Sequence, residues 1–187
     1  MKRAHGRIGV LVGSVVAAAV AAAFAVEIAA RADDAPAGAP PCPPAQKRLD
    51  HPFLNALVGE WSIEFTATDP TGKSHEGKGT SKVVLGVGGT ALIEDYDAQM
   101  PEGPFAGHGI TKLADDGKTV NSWWLDNMGP EPVKMTGAVT ETTLELAGDI
   151  PGMGPMKVVS KKVEGGYDWD ATLGGKPMMS QKYRKAK

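Results

Sequence analysis

The sequence has a single cysteine, Cys42, and none of the short motifs that commonly mark a reaction centre. One cysteine cannot form an intramolecular disulfide, so the core must be held by packing alone, and we interpret Cys42 as a free thiol in a linker. No glycine-rich phosphate loop joins a strand to a helix, and no Gly-x-Ser-x-Gly or His-Glu-x-x-His motif occurs. The sequence therefore favours a protein that is not an enzyme, and it assigns no catalytic residue.

A basic surface is also missing. The chain has 20 basic and 22 acidic residues, and without residues 1–32 it would have 16 and 21, a net charge of −5. An acidic surface repels polyphosphate, and no basic run is interleaved with aromatic residues. Nucleic acid and anionic membrane surfaces are therefore poor candidates for a partner.

Residues 1–32 are predicted to be a secretory signal peptide. Lys2, Arg3 and Arg7 precede an apolar run over residues 8–26, and Ala30-Arg31-Ala32 fits the small-x-small rule for cleavage. The pattern predicts a periplasmic or secreted protein without stable membrane insertion after cleavage. The apolar run is about long enough to span a bilayer, so an uncleaved N-terminal anchor is the alternative.

The remaining chain of about 155 residues is enough for one domain and too short for two. Residues 33–47 are rich in proline and alanine and are predicted to be a disordered linker. Residues 48–187 are predicted to fold as the domain. A short helix should open it, with Asp50 as the N-cap, Pro52 in the first turn and Gly59 after its end.

Alternation of apolar and polar residues begins at Trp61, Ile63 and Phe65, which share one face of a strand. Short strand-like runs and turn signals then recur to the end of the chain, which predicts about 8–10 antiparallel strands. No second helix is available to cover a parallel sheet. Closure removes exposed edges, so we predict an all-β, single up-and-down barrel, with a two-sheet sandwich as the alternative.

The clearest hairpin joins Ile110–Leu113 to Thr119–Leu125 through the turn residues Ala114–Lys118. Trp123 and Trp124 must point to opposite faces of the second strand. If Trp124 points inward, Asp126 shares the interior face and needs a partner; otherwise Asp126 caps the following turn.

Four segments carry a resemblance to a known family. They are Gly89-Thr90-Ala91-Leu92-Ile93-Glu94, Phe105-Ala106-Gly107-His108-Gly109, Trp124-Leu125-Asp126-Asn127-Met128-Gly129 and the closing Tyr183-Arg184. Together they resemble the bacterial domain-of-unknown-function family 1579, over roughly Leu49 to Lys187. The resemblance implies a lipocalin-like, often exported barrel and supplies no activity or catalytic residue.

The Gly59-Glu60-Trp61 segment is similar to the lipocalin signature. In lipocalins a cation from the last strand packs over this tryptophan and closes one end of the barrel. The resemblance implies that Arg184 does so here.

An up-and-down barrel can hold one small ligand in its interior, and we predict an apolar or amphipathic one that is bound without catalysis. Asp126 and His108 would orient the ligand, and no cofactor or metal is predicted, with haem bound through His108 as an alternative. Two other hypotheses remain, an enzyme that uses Asp126 and His108 as acid and base and an envelope interaction or structural module. The predicted ligand-binding residues are Trp61, Phe65, Tyr96, His108, Trp124, Asp126, Met128 and Arg184.

Overall fold

The computed structural model describes residues 46–69, 71–100 and 103–186. The predicted signal peptide, Cys42 and all but the last two residues of the predicted linker lie outside these residues. Within the described part of the chain, no helix is both long enough and apolar enough to cross a membrane.

The described residues form one short α-helix, one 3₁₀-helical turn (Val87–Gly89) and ten β-strands, and all strand pairs are antiparallel. Neighbours in the chain are neighbours in the sheet, and β1 pairs with β10, so the sheet closes into an up-and-down barrel. The predicted all-β closed barrel is confirmed, and the sandwich alternative is excluded. The elements are α1 (Pro52–Leu57), β1 (Gly59–Thr68), β2 (Ser74–Gly86), β3 (Ala91–Met100), β4 (Gly103–Leu113), β5 (Thr119–Asp126), β6 (Val133–Val139), β7 (Thr143–Ile150), β8 (Gly154–Val163), β9 (Gly166–Leu173) and β10 (Lys176–Lys185).

Helix α1 lies at the base of the barrel, the end where β2–β3, β4–β5, β6–β7 and β8–β9 are connected. Its N-cap is His51 and not the predicted Asp50, and the His51 side chain makes no capping hydrogen bond. Pro52 occupies the first turn, where a missing N–H costs nothing. Phe53 and Leu54 are fully buried, so the helix is held by its apolar contacts and not by a cap.

Strands β2 and β4 begin well before the short apolar runs that predict them. Gly77 lies in the early half of β2, and Gly107 and Gly109 lie in the middle of β4; all three lack a side chain where an aromatic ring needs space. A Cβ at Gly77 would overlap the Phe65 ring, and one at Gly107 would overlap the Trp124 ring. These glycines are therefore sites of close packing within regular strands.

The register of β4 and β5 fixes which residues face inward. Gly109 pairs with Trp124, whose ring lies over the glycines inside the barrel, whereas Ile110 pairs with Trp123 on the outer face. On the outer face, apolar residues of neighbouring strands lie opposite one another. We call this the outer row, and it consists of Val84, Ile93, Ile110 and Trp123.

Candidate ligand-binding site

A cavity of about 330 Å³ lies at the mouth of the barrel, the end where β1–β2, β3–β4, β5–β6, β7–β8 and β9–β10 are connected. Four strands place aromatic, thioether and small apolar side chains around it, and polar groups stand at its rim. The lining residues are Ala67, Thr68, Asp69, His75, Met100, Gly103, Pro104, Phe105, Met128 and Met179.

An aromatic cluster links the cavity to the interior. Phe105 lines the cavity and packs edge-to-face on Tyr96, with ring centroids 5.7 Å apart. The Trp124 ring packs against both of these rings, with its centroid 6.0 Å from that of Tyr96 and 6.5 Å from that of Phe105. The wall of the cavity below Phe105 is therefore formed by rigid rings.

Asp126 holds the rim of the mouth in place. One carboxylate oxygen accepts the indole N–H of Trp124 at 2.9 Å. The other oxygen accepts the backbone N–H groups of Met128 and Gly129, at 2.9 and 3.0 Å. Asp126 thus shares the interior face with Trp124 and also caps the following turn, which combines the two alternatives that the sequence leaves open.

The polar part of the rim is built by Asp69. Its carboxylate accepts the hydroxyl of Thr71 at 2.6 Å and contacts the His75 ring nitrogen at 3.0 Å. The Thr71 hydroxyl, followed by His75 and the Lys73 amide, holds the pKa of Asp69 well below its ordinary value. The rim therefore carries a stable negative charge beside an apolar cavity.

A polar layer lies deeper inside the barrel. Glu94 shares the inner face of β3 with Leu92 and Tyr96, and its carboxylate accepts the hydroxyl of Ser81 at 2.7 Å. Burial raises the pKa of Glu94 above its ordinary value, and the Ser81 hydrogen bond offsets part of this increase.

Three tyrosines surround this layer, and burial is the main reason that their pKa values are raised. The charge of Glu94 is the second cause for Tyr96, Tyr167 and Tyr183 alike, which places all three within range of one carboxylate. Two buried polar atoms of the barrel interior have no hydrogen-bond partner among the described residues: the Tyr96 hydroxyl, two positions from Glu94 on β3, and Gln181 Oε1 on β10.

His108 lies on the outer wall, so its predicted role in orienting an interior ligand is wrong. It is opposite Leu125 in the register, and its Nδ1 contacts the Asp95 carboxylate at 2.7 Å. Asp126 points to the inner face, so the wall separates the two residues and they cannot act as one acid and base pair. The haem alternative loses its interior ligand for the same reason.

Arg184 does not close the base. It binds the Asp168 carboxylate at 2.8 Å and the carbonyl oxygens of Tyr167 and Tyr183. Lys185 takes the predicted place, with Nζ 4.0 Å from the centre of the Trp61 ring. The prediction is wrong by one residue, because Gln181 and Tyr183 occupy the inner face of β10 and the register shifts between Pro177 and Met179.

The other predicted site residues are distributed between the ends. Tyr96 and Trp124 lie next to the mouth cavity, whereas Trp61 lies in the base, 5.0 Å from Tyr167. Phe65 is buried on the inner face of β1, and Met128 lines the cavity with 69% of its surface exposed.

Several residues of the site were missed. Ala67 and Phe105 follow from the strand alternation once β1 and β4 are extended to their true lengths. Glu94 had a usable signal, because it alternates with Leu92 and Tyr96, and a carboxylate in that position points inward if its neighbours do. No group of three or more metal-ligating side chains is found among the described residues.

A second cavity of about 190 Å³ lies at the base, between the segment at residues 46–50 and the β4–β5 turn. Its lining is a mixture of polar and apolar surface and includes Arg48, Lys112 and Asp115. Most of the lining residues lie in loops, and Lys112 and Leu113 come from the end of β4.

The fold and the mouth cavity define a closed, ten-stranded antiparallel barrel with space for a small molecule at one end. The family model described as "Protein of unknown function (DUF1579)" matches residues 46–164, and the chain belongs to this family. No curated protein matches the chain. Among solved structures, the chain is similar to Rv2717c from M. tuberculosis, with 14% identity and a TM-score of 0.60 over 72% of this chain and 96% of that one. At this identity, the likeness concerns the fold alone.

Proposed function

We propose that this protein is an exported carrier that binds one small apolar or amphipathic molecule in the mouth of its barrel without transforming it. The observation that carries the proposal is the cavity of about 330 Å³. Sites for small molecules are concave, mostly apolar and a few hundred Å³ in volume, with a small number of polar groups.

The lining fits an adaptable apolar ligand. Met100, Met128 and Met179 contribute flexible thioether side chains, which can adjust to different ligand shapes. Phe105 gives one rigid surface, and the Asp69–His75 pair adds polar groups at the rim. Export is supported by the signal-like pattern of residues 1–32.

A fluorescent apolar probe tests the proposal. We expect N-phenyl-1-naphthylamine to bind the purified domain with one site and increased emission. A Met179→Trp substitution should fill the cavity and weaken probe binding about tenfold or more, because the ring occupies the space that the probe needs. Met153→Trp is the matched control, because Met153 is 61% exposed on the β7–β8 loop and does not line the cavity.

Probe binding by the two variants decides between support for the mouth site and rejection of the proposal. Weak binding by Met179→Trp with normal binding by Met153→Trp supports the mouth site. A probe that fails to bind the wild-type protein, or that binds both folded variants as it binds the wild type, would contradict the proposal. Circular dichroism establishes that each variant is folded before its binding is compared.

The interaction-module alternative has the outer row in its favour. Val84, Ile93, Ile110 and Trp123 place uncharged apolar side chains side by side on the solvent face of four strands. We take a second copy of the chain as the partner, because an uncharged row can pack against itself across a two-fold axis. Sedimentation should then show a dimer that Trp123→Lys converts to a monomer; a monomeric wild type would reject this alternative.

A further inference from the structure

We propose that the bound molecule carries a cationic amine, which enters below the mouth and binds Glu94 in the aromatic interior of the barrel. The inference rests on the proposed carrier function and names the chemical class of its ligand. It is carried by the hydrogen-bonding groups of the polar layer, by the rings around it and by the absence of a buried cation in the described chain.

Two acceptors in the barrel interior have unused positions. The Glu94 carboxylate has about four acceptor positions and receives one protein hydrogen bond, from Ser81. Gln181 is 6% exposed, its Nε2 donates to the Met179 sulfur at 3.0 Å, and its Oε1 has no partner. Buried acceptors without donors are costly, so the barrel interior is suited to a ligand that brings N–H groups.

The Tyr96 hydroxyl is the third free group. Tyr96 is 3% exposed, and its oxygen also lacks a partner among the described residues. It lies two positions from Glu94 on the inner face of β3, about 7 Å along the strand. An ammonium group between them could donate to the carboxylate and to the phenol oxygen.

The rings of the interior favour a positive charge. Tyr167 stacks on Tyr183 with centroids 4.2 Å apart, and Trp61 meets Tyr167 edge-on. Aromatic faces attract cations through the ring quadrupole, and the attraction is strongest where water is excluded. A carboxylate surrounded by such rings would bind an amine better than a neutral or anionic group.

Nothing in the described chain supplies the missing charge. Every lysine and arginine of residues 46–69, 71–100 and 103–186 is exposed or only partly buried. Two of these residues, at the end of β10, already have partners. Arg184 forms an ion pair with Asp168, and Lys185 contacts the Trp61 ring and donates to the Val58 carbonyl. Glu94 therefore has no cationic partner among the described residues, and a bound ammonium group could supply one.

Two residues that line the mouth cavity also contact the polar side chains of the barrel interior. Phe105 packs against Tyr96, and Met179 accepts the hydrogen bond from Gln181. An amphipathic amine could therefore keep its apolar tail between the methionines while its head reaches the free groups below. The raised pKa of Glu94 agrees with a carboxylate that lacks its counter-charge.

Three probes of equal chain length test the proposal on the wild-type protein. Octylamine, 1-octanol and octanoate are titrated by calorimetry at pH 7. A charge-assisted hydrogen bond and cation–π contacts should make octylamine bind about tenfold more tightly than 1-octanol. Octanoate should bind most weakly, because its carboxylate would face Glu94.

Glu94→Gln identifies the group responsible. This variant should lose about tenfold in octylamine affinity and change by less than about twofold for 1-octanol. Glu64→Gln is the matched control, since it removes the same charge from an exposed position on the outer face of β1 and should change neither affinity.

The results distinguish this inference from the carrier proposal. If 1-octanol binds and octylamine binds no better, the carrier stands and the amine inference is wrong. If none of the probes binds, the carrier proposal itself is wrong. A Glu94→Gln variant that keeps the full preference for octylamine would likewise overturn the assignment to Glu94. Should this variant fail to fold, Asp69→Asn decides the inference, because it removes the carboxylate charge of the rim: a preference for octylamine that persists in this variant supports Glu94, and a preference that disappears overturns the assignment.

Discussion

The two ends of the barrel are built for different purposes. At the base, Phe53 and Leu54 of α1 are fully buried, Trp61 donates to the Leu57 carbonyl at 2.8 Å, and Lys185 covers the Trp61 ring. At the mouth, exposed Met128 stands over a cavity of about 330 Å³. Dense packing stabilises a fold, whereas a ligand needs free space, so we expect the base to contribute more to stability and propose the mouth as the end that binds a ligand.

The largest expected effect is on the base. Leu54→Ala should lower the free energy of unfolding by about 3 kcal/mol, because the removed atoms leave a cavity under α1. Met128→Ala at the exposed rim should change it by less than about 0.5 kcal/mol. Urea denaturation measures both, and similar losses for the two variants would contradict the division between the ends.

The polar layer between the two ends should make the free energy of unfolding depend on pH. Burial raises the folded-state pKa of Glu94 above 4.5, so the folded protein holds its proton more tightly than the unfolded chain does. The free energy of unfolding should therefore fall as pH rises from about 4.5 to the folded pKa, by at most about 1.4 kcal/mol per pH unit.

The phenols do not obscure this effect, since the pKa values of Tyr96, Tyr167 and Tyr183 are raised and all three stay protonated in this range. Asp69 and Asp116 titrate with the opposite sign, because their pKa values are lowered and their contribution is lost only as pH falls towards about 2. Glu94→Gln should remove the decline and Glu64→Gln should keep it. A decline of equal slope in both variants would assign it to another group.

Asp126→Ala tests the rim. Loss of its three hydrogen bonds should cost about 1.5 kcal/mol and release the Trp124 ring, which lies next to the mouth cavity. Probe binding should weaken together with stability. Asp115→Ala, which removes the same charge from a turn at the base, should leave both unchanged, and equal effects of the two substitutions would show that net charge is responsible.

Lys185→Met is expected to have the smallest effect, about 1 kcal/mol, because it removes one cation–π contact from an exposed ammonium group. Tryptophan emission should shift as the Trp61 environment changes. Lys182→Met, at an exposed position on the same strand, is the control. An unchanged emission spectrum in Lys185→Met would show that Lys185 does not cover Trp61 in solution.

The sequence predicts the barrel well because the patterns that indicate it lie within short stretches of the chain. Alternating apolar residues in β1 and the Ala114–Lys118 turn chemistry are read from neighbouring positions, and closure follows from the need to avoid free edges. The family resemblance is confirmed over residues 46–164, so the match does not include the closing Tyr183-Arg184 segment. Strand lengths were less predictable, because glycines such as Gly77 reduce the strand signal while making room for Phe65.

The site was harder to predict because it depends on distant parts of the chain. His108 points outward because the Trp124 ring fills the space beside Gly107 and Gly109, and its own neighbours in the sequence do not reveal this. The shift between Pro177 and Met179 decides that Lys185, and not Arg184, reaches Trp61. Bulges of this kind change the facing of every later residue, and they are set by pairing between strands.

Nuclear magnetic resonance of the ¹⁵N-labelled domain, titrated with 1-octanol, tests the central claim most directly. The account predicts saturable shifts of the amide signals of mouth residues such as Ala67, Phe105 and Met179, with the signals of Leu54 and Val120 unchanged. Shifts confined to the outer row, or to Arg48 and Leu113 at the base cavity, would contradict it.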